Sequence, residues 1–448
     1  MNLLNIIRGF DSELYDYFEH ELERQYYSLS FIPDENSISP LCSATMGNVL
    51  VNTQHNNTAF PTQGNLEYLV AHRLCQLFHG EHANLKSITI DVASRVVFQA
   101  LVQRGDVVLS LDLRKQEHCN SESMVFRFIN FGLDPQTQRL DLDMIEQQVR
   151  EYQPRLVIVS PINYPHAVDY ERLASIVHEH GSILWCDISQ VAGLITAGVM
   201  PSPLPHADIV TFTMQGALQG PRSSVIICKD KFANAIDRAA FGNGHSGLGS
   251  SELAALGARL QEMQTPEYRA YCQAVVENAK ALAEGLVAGG MTLVGGAPDS
   301  HFVVTDTKKC ALSARGAIEN LSDSGIMARE CQVLTADPMI KFDGIRFSSL
   351  PATTRGITKE QMRKVGEAIG RYLMNPNPDH EQALAAVVRE VTVPLPLFSE
   401  RWLCDSVKDN LEQNNYFSSS DSSGLALGPS RLSKLVKSFK HHRSNSAD

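Results

Sequence analysis

The sequence predicts an α/β fold, in which a mainly parallel sheet is flanked by helices and followed by a smaller α+β domain and a flexible tail. Short apolar runs alternate with stretches of helical periodicity, which is the order expected of a parallel sheet. Several of these runs are apolar on both faces, as central strands covered by helices on each side should be. The length of 448 residues exceeds what one hydrophobic core organises.

The N-terminal residues 1–60 are predicted to form an arm and a helix. Leu14, Phe18 and Leu22 lie at helical spacing within the first 25 residues. An amphipathic helix over Glu67–Phe78 then opens a large domain that spans residues 61–288.

The large domain supplies the strands of the parallel sheet and the helices between them. The strand candidates are Asp106–Leu111, Arg155–Ser160, Ile183–Asp187, Asp208–Thr213 and Ser224–Cys228. Intervening segments with helical periodicity are Asp143–Tyr152 and Tyr170–His180. A long helical pattern over Pro266–Gly289 links this domain to the next.

The small C-terminal domain is predicted over residues 289–376. Its elements are strands at Met291–Val294 and His301–Thr305 and a last helix near Lys359–Leu373.

The character of the chain changes in residues 377–448, which are predicted to be a linker and a low-complexity tail, with a short helix and a Pro-interrupted stretch after the linker. Serine-rich Phe417–Gly424 is expected to be flexible. A basic amphipathic segment at 430–443 follows, with an apolar face and a basic face. Its apolar residues are Leu432, Leu435, Val436 and Phe439, and its basic residues are Arg431, Lys434, Lys437, Lys440 and Arg443. The segment could dock on an anionic membrane surface or an acidic protein partner. A solvated helix or disordered tail is the alternative.

Composition restricts the class of protein. The chain is 43% hydrophobic and 20% charged, which is typical of globular proteins, and its formal charge of −11 argues against nucleic-acid binding. Nine cysteines are scattered without metal-ligand spacing, so we expect free thiols in a reducing cytoplasm and no metal site. The N-terminal residues lack the pattern of a signal peptide, and no run approaches the roughly 18 apolar residues of a membrane span. A cytoplasmic protein is predicted.

Four sequence blocks resemble the serine hydroxymethyltransferase family, in the order and spacing of that family. They are ERQ through FIPDEN (Glu23–Asn36), WCDISQVAGLITAG (Trp185–Gly198), TFTMQGALQGPRSSVII (Thr211–Ile227) and GIRFSSLPATTRG (Gly344–Gly356). The resemblance runs from about residue 10 to 373. It implies the fold-type I, aminotransferase-like architecture of pyridoxal-phosphate enzymes, and a homodimer with its sites at the subunit interface.

The resemblance also assigns ancestral roles to individual positions. Asp187 matches the carboxylate on the pyridine nitrogen, although an isolated Asp after a strand is also a common helix N-cap. His118 falls where the family stacks a histidine on the cofactor ring, but its neighbourhood does not match and a surface histidine is equally consistent. Gln190 stands at the position of an active-site histidine. Arg355 matches the arginine that holds the substrate carboxylate by a bidentate fork, and a structural salt bridge is the alternative.

The departures from the family pattern converge on cofactor binding. Gly216 stands at the position of the Schiff-base lysine, so covalent attachment of pyridoxal phosphate there is excluded. The segment Thr89–Ser94 replaces a small-residue phosphate loop and brings in Ile90 and Asp91, which add bulk and negative charge. Pyridoxal phosphate is therefore expected by ancestry only.

Other departures affect proton transfer and the rest of the cleft. Asp34 replaces a serine, and Ile162-Asn163-Tyr164 replaces the family's Ser-Ala-Tyr. A shorter loop over Asn52–Gly64 lacks the glutamate that handles the folate-bound carbon unit, which argues against folate chemistry. Lys229 and Lys231 lie beyond the next predicted strand, too far from residue 216 to replace the lysine.

Three functions fit this pattern. The favoured one is a homologue that has lost the serine/glycine one-carbon transfer and uses the scaffold for binding or assembly. The second is an enzyme with altered amino-acid chemistry in the old cleft, with Arg355, Asp187, Gln190 and His118 as participants. The third is residual hydroxymethyltransferase activity.

Overall fold

The computed structural model describes residues 3–52, 62–111, 126–242, 247–333 and 342–413. His118, most of the loop between Asn52 and Gly64, and the basic segment 430–443 lie outside the described residues. The chain divides into two compact units, Glu23–Trp402 and a second one made of Met1–Leu22 with Leu403–Asp448.

In the described residues the α-helices are α1 (Leu3–Phe10), α2 (Ser12–Tyr27), α3 (Pro40–Met46), α4 (Thr62–Phe78), α5 (Ile90–Leu101), α6 (Leu142–Tyr152), α7 (Tyr170–Glu179), α8 (Ala192–Thr196), α9 (Asp230–Gly242), α10 (Ser250–Glu262), α11 (Pro266–Ala288), α12 (Ala314–Asp323), α13 (Leu350–Arg355), α14 (Lys359–Met374), α15 (Pro378–Thr392) and α16 (Asp405–Gln413). The strands are β1 (Leu29–Ser30), β2 (His82–Asn84), β3 (Val107–Leu111), β4 (Arg127–Phe131), β5 (Leu156–Val159), β6 (Ile183–Asp187), β7 (Ile209–Thr213), β8 (Ser224–Cys228), β9 (Thr292–Leu293), β10 (Phe302–Asp306), β11 (Ile326–Met327), β12 (Arg329–Val333) and β13 (Phe342–Ser348).

The large sheet has seven strands in the order β2-β8-β7-β6-β5-β3-β4. Neighbours from β4 through β7 pair in parallel, whereas β8 is antiparallel to both β7 and β2. The mainly parallel sheet is thus confirmed, and all five predicted strands are present. Sequence patterns missed β2 and β4, because β2 has only three residues and β4 alternates charged and polar side chains with apolar ones.

The core of this sheet follows from its uniformly apolar strands. Every residue of β5, β6 and β8 is buried, including the completely enclosed Trp185. On one face, α5 and α9 pack against these strands, and Phe98 of α5 meets the Trp185 ring edge-on at 5.3 Å between centroids. Such dense packing holds the carboxyl ends of the strands in fixed positions.

A smaller antiparallel sheet has the order β12-β13-β10-β9, and β1 pairs in parallel with β11. The predicted strands β9 and β10 and the predicted helix α14 are confirmed. The strand β13 was missed because Asp343, Arg346 and Ser348 interrupt its apolar pattern. A linker and then a short helix were predicted after residue 376, and α15 begins within that linker and adds Leu384, Val388 and Val391 to the core beside this sheet.

Two helices approach each other through glycines. Gly285 of α11 and Gly289, which caps the C-terminus of that helix, face Gly366 and Gly370 of α14, and the glycines of each pair are four residues apart. A Cβ on Gly366 would lie 2.7 Å from the carbonyl oxygen of Leu282, and one on Gly370 would lie 2.8 Å from the Gly289 Cα. Since those distances are too short for real carbon atoms, the close contact of the two backbones requires glycine.

The unit formed by the chain ends contains α1, the first part of α2 and α16. The Arg8 guanidinium lies 5.5 Å from the centre of the Tyr15 ring, which ties α1 to α2 by a cation–π contact. Among the helices in the described residues, none is long and apolar enough to cross a bilayer.

Candidate functional site

A cleft of about 540 Å³ opens where β6 and β7 end. Ligands of open α/β sheets bind beyond the carboxyl ends of the parallel strands, so this is the expected place for a site. The residues that line it are Pro33, Asp34, Ile88, Thr89, Ile90, Asp91, Ile162, Asn163, Asp187, Ser189, Gln190, Thr213, Gln215, Gly216, Ala217, Arg222, Arg329, Glu330, Cys331, Gln332, Asp343 and Arg346.

Asp187 is the last residue of β6 and is only 2% exposed. Its Oδ1 accepts a hydrogen bond from the Ser189 amide at 3.0 Å, and its Oδ2 accepts from the Thr211 hydroxyl at 2.9 Å. The Thr211 oxygen accepts in turn from the Trp185 indole at 2.9 Å. This chain of donors holds the carboxylate in one orientation at the cleft.

Gly216 begins a short 3₁₀ turn, Gly216–Leu218, directly below the cleft. Its φ is +60°, in the left-handed region that favours glycine. A Cβ at this position would meet only the Pro33 carbonyl oxygen, at 3.8 Å, so space for a side chain exists. The residue that stands there nevertheless offers no amine.

A buried polar network fixes this turn. The Asn36 amide donates to the Gly216 carbonyl and to the Tyr271 hydroxyl, both at 2.9 Å. Its oxygen accepts from Thr354 at 2.7 Å, and the Gln219 amide donates to the same Thr354 hydroxyl at 2.9 Å. Because satisfied buried networks are rigid, the backbone of the turn is held without any contribution from a side chain at 216.

Buried Arg259 completes the support of the turn. Its guanidinium donates to the Leu218 carbonyl at 2.7 Å, to Gln219 Oε1 at 2.8 Å and to Glu262 Oε2 at 2.6 Å. Ser39 also donates to that Glu262 oxygen, at 2.6 Å. The turn thus keeps an elaborate scaffold although it carries no lysine.

The start of α5 forms another wall of the cleft. Thr89 caps this helix by accepting from the Val92 amide at 3.4 Å, and Asp91 lies in the first turn. A helix N-terminus attracts anions, but the Asp91 carboxylate supplies that negative charge itself. Its Oδ1 is buried and has no hydrogen-bond partner within the described residues. A phosphate group here would face a carboxylate.

Asp34 projects into the cleft from the segment after β1 and is held by three side chains. Gln190 Nε2 donates to its Oδ1 at 2.8 Å, Arg346 Nη2 lies 3.3 Å from its Oδ2, and Arg329 Nη1 also bonds to Oδ2. Desolvation acts to raise the pKa of this carboxyl, but Arg346, the Gln190 amide and Arg329 outweigh it and lower the pKa below its ordinary value. Asp34 is therefore a firmly ionised group.

His301 lies behind this cluster and is completely buried. Its Nδ1 is 2.8 Å from the Ser348 hydroxyl. Burial and the positive charge of Arg346 lower the pKa of His301 to about 3, so the imidazole is neutral at physiological pH.

The structure does not place Arg355 in the cleft. Its guanidinium donates to the carbonyl oxygens of Gln25, Tyr26, Ser28, Thr392, Leu395 and Pro396. The residue is 5% exposed, and burial lowers its pKa to about 10. All of its donor groups are used by the chain itself. No donor of Arg355 is left for a substrate carboxylate in this conformation, and its partners are backbone carbonyls and not the salt bridge considered as the alternative.

The remaining sequence-predicted positions separate into two groups. Asp187, Gln190 and Gly216 meet at the cleft, whereas His118 lies outside the described residues. Lys229 and Lys231 pair with Asp208 at the start of β7, at 3.7 Å and 2.9 Å. Both lysines therefore lie at the amino end of β7, whereas Gly216 follows its carboxyl end. The five-residue strand between the two ends spans about 17 Å.

Sequence reasoning missed the three arginines of the cleft, Arg222, Arg329 and Arg346. A signal for Arg346 existed, because a charged residue interrupts the apolar run GIRF. Its partner Asp34 lies 312 positions away in the chain, so no local pattern could reveal the pair.

These residues do not fit covalently bound pyridoxal phosphate. Asp187, the carboxylate that the resemblance assigns to the pyridine nitrogen, lines the cleft, but no lysine lines it in the part of the chain that the structure describes. The carboxylate of Asp91 opposes a phosphate at the helix terminus that would cradle it.

One comparison with known proteins identifies the family. A model of the serine hydroxymethyltransferase family matches residues 7–369 of this chain. The match covers both the large and the small sheet, and ends before α15.

Proposed function

We propose, from the premise that this chain belongs to the serine hydroxymethyltransferase family, that it has lost the serine/glycine one-carbon transfer and keeps the fold-type I scaffold for binding or assembly. Members of this family are pyridoxal-phosphate-dependent transferases of one-carbon and amino acid metabolism. In the described residues of this chain, no lysine lines the cleft.

The single observation that carries the proposal is Gly216. The turn that contains it is held by Asn36, Gln219 and Arg259 in a defined conformation, and residue 216 offers no amine there. An amine is indispensable for covalent attachment of an aldehyde cofactor. Lys229 and Lys231 follow Gly216 most closely in the sequence. Both form ion pairs with Asp208, at the end of β7 away from the cleft.

The remaining cleft supports non-covalent binding of a small polar ligand. Asp91 Oδ1, Ser189 Oγ, Gln190 Oε1 and Gln332 Oε1 are buried side-chain atoms without a hydrogen-bond partner in the described residues. Buried polar atoms are costly unless water or a ligand satisfies them. All four belong to residues that line the same cleft. A bound molecule with matching donors would satisfy them.

Treatment with excess pyridoxal phosphate and borohydride tests the loss of covalent chemistry. We expect no new visible absorbance in the native protein and no reduced adduct on a cleft residue by peptide mass spectrometry. A reducible adduct in the cleft, together with serine-dependent formation of glycine, would contradict the proposal.

Gly216→Lys is the matched positive control for this experiment. The substituted side chain has open space above the turn, although the left-handed φ of the residue costs it about 1 kcal/mol. Unphosphorylated pyridoxal avoids the repulsion from Asp91, so we expect a reducible adduct at residue 216 of this variant only. Its presence would show that the assay detects a cleft amine.

We also propose that the chain is a cytoplasmic homodimer. Members of this family are typically oligomeric, and the exposed aromatic side chains Tyr68 and Phe241 flank a groove of about 760 Å³ between α4 and α9. The basic segment 430–443 is kept as a proposed docking element for an acidic partner or an anionic surface, tested by co-sedimentation after deletion of residues 425–448.

A further inference from the structure

Two arginines converge on the carboxylate of Asp34 in the cleft. Arg329 of β12 and Arg346 of β13 are directly paired residues of two antiparallel strands. Like charges in directly opposed positions of a sheet repel each other. An anion between the two guanidinium groups removes this repulsion, and here the Asp34 carboxylate is that anion.

The binding groups are built in advance. The Arg346 side chain is only 4% exposed, its Nη1 is held by the Ile162 carbonyl, and its guanidinium carbon lies 5.5 Å from the centre of the Phe302 ring. These contacts orient Nη2 toward Asp34. Gln190 adds a neutral donor from the opposite wall of the cleft, at 2.8 Å. Two arginines and an amide converging on one position are the groups that proteins use for carboxylates.

Asp34 belongs to a different part of the chain from the residues that contact it, and its side chain is partly exposed to solvent. Asp34 follows β1, whereas both arginines belong to the small sheet and Gln190 follows β6. Its side chain is 39% exposed, so a small molecule could reach the same position if that carboxylate were removed.

We propose that the cleft contains a carboxylate-binding site formed by Arg329, Arg346 and Gln190, which the side chain of Asp34 occupies in the native protein. Asp34 is then a specificity-determining residue: it excludes ligands that would place a carboxylate between the two arginines. The inference goes beyond the proposed function and holds whether or not transferase chemistry survives.

Chemical rescue of Asp34→Ala with formate and acetate tests this site. Truncation leaves the two arginines opposed and opens space for a small anion. We expect a lower thermal midpoint for the variant, which formate raises by roughly 1–3 °C at about ten times its dissociation constant. Acetamide, which is neutral, and chloride at equal ionic strength should have no such effect, and formate should not shift the native protein.

Two control variants distinguish formate binding at the Asp34 position from general effects of formate on stability. Asp34→Asn removes the charge but fills the space, so formate should not stabilise it. Asp299→Ala breaks another Asp–Arg pair of matched exposure, 40% for Asp299 beside 39% for Asp34, but outside the cleft. Equal responses of Asp299→Ala and Asp34→Ala to formate would overturn the proposal, as would no response of Asp34→Ala.

If Asp34→Ala does not fold by itself, Asp34→Ser provides the second test, because its hydroxyl accepts a hydrogen bond from Gln190 or an arginine. Recovery of folded Asp34→Ala in formate, or stabilisation of Asp34→Ser by formate, supports the site. Failure of both overturns it.

Discussion

Two buried arginines of this chain have contrasting roles that follow from their acceptors. Arg355 donates only to backbone carbonyl oxygens, and these belong to the end of α2, the residue that follows it and the end of α15 with the segment after it. Arg346 donates to one carbonyl and to the carboxylate of Asp34 in the cleft. The first therefore joins segments of the fold, and the second shapes the cleft.

Substitution of Arg355 should affect stability and leave the cleft unchanged. Arg355→Ala would leave several buried carbonyl groups without donors, so we expect the free energy of unfolding in urea to fall by about 3 kcal/mol or more. Arg172→Ala, which removes an exposed pair with Asp143, should change it by less than about 1 kcal/mol. If Arg355 bound a ligand carboxylate instead, Arg355→Ala would abolish ligand-induced thermal shifts at nearly native stability.

At the scale of elements, the helices α11 and α14 depend on backbone contact. Gly285 and Gly289 on one helix and Gly366 and Gly370 on the other leave no space for a methyl group between them. Elsewhere α14 uses ordinary devices, such as the capping box of Thr358 and Gln361 at its N-terminus. Periodicity predicted both helices, but only their mutual approach explains the spacing of the glycines.

Gly366→Ala should destabilise the protein against the trend of helix propensity. Alanine favours a helix interior, but its Cβ would lie 2.7 Å from the Leu282 carbonyl oxygen, so we expect a loss of about 1–3 kcal/mol in the free energy of unfolding. Gly316→Ala in α12 is the matched control, because its Cβ would meet only the Ser313 hydroxyl at 3.4 Å. That variant should gain up to about 1 kcal/mol. Equal effects of the two substitutions would contradict the packing argument.

At the scale of the whole molecule, most elements that could be predicted from the sequence were predicted from the periodicity of apolar residues. The central strands β3, β5, β6, β7 and β8 were predicted because both faces of the sheet are covered. Cleft positions were predicted where a family motif marks them, at Asp187, Gln190 and Gly216 and at the departures Asp34, Ile90, Asp91, Ile162 and Asn163. The pairing of Asp34 with Arg329 and Arg346 depends on the fold bringing distant segments together, and the carbonyl cluster around Arg355 has no side-chain signature at all.

The proposed homodimer gives a prediction for the whole molecule. Tyr68 and Phe241 are 74% and 84% exposed, which is unusual for aromatic side chains that flank one groove. We expect the native chain to sediment as a dimer at micromolar concentration and Tyr68→Ser with Phe241→Ser to weaken the dimer at least about tenfold, which corresponds to about 1.4 kcal/mol. Val393→Ser, at an apolar side chain that is 61% exposed elsewhere, should not. A monomeric native chain would contradict the homodimer.

The long helix α11 gives the cleft a mechanical connection to the small sheet. Near its start, the hydroxyls of Tyr268 and Tyr271 contact the Ala217 carbonyl and Asn36 beside the Gly216 turn. Near its end, Gly285 and Gly289 lock it to α14. One continuous helix therefore fixes the position of the Gly216 turn relative to α14 and the small sheet.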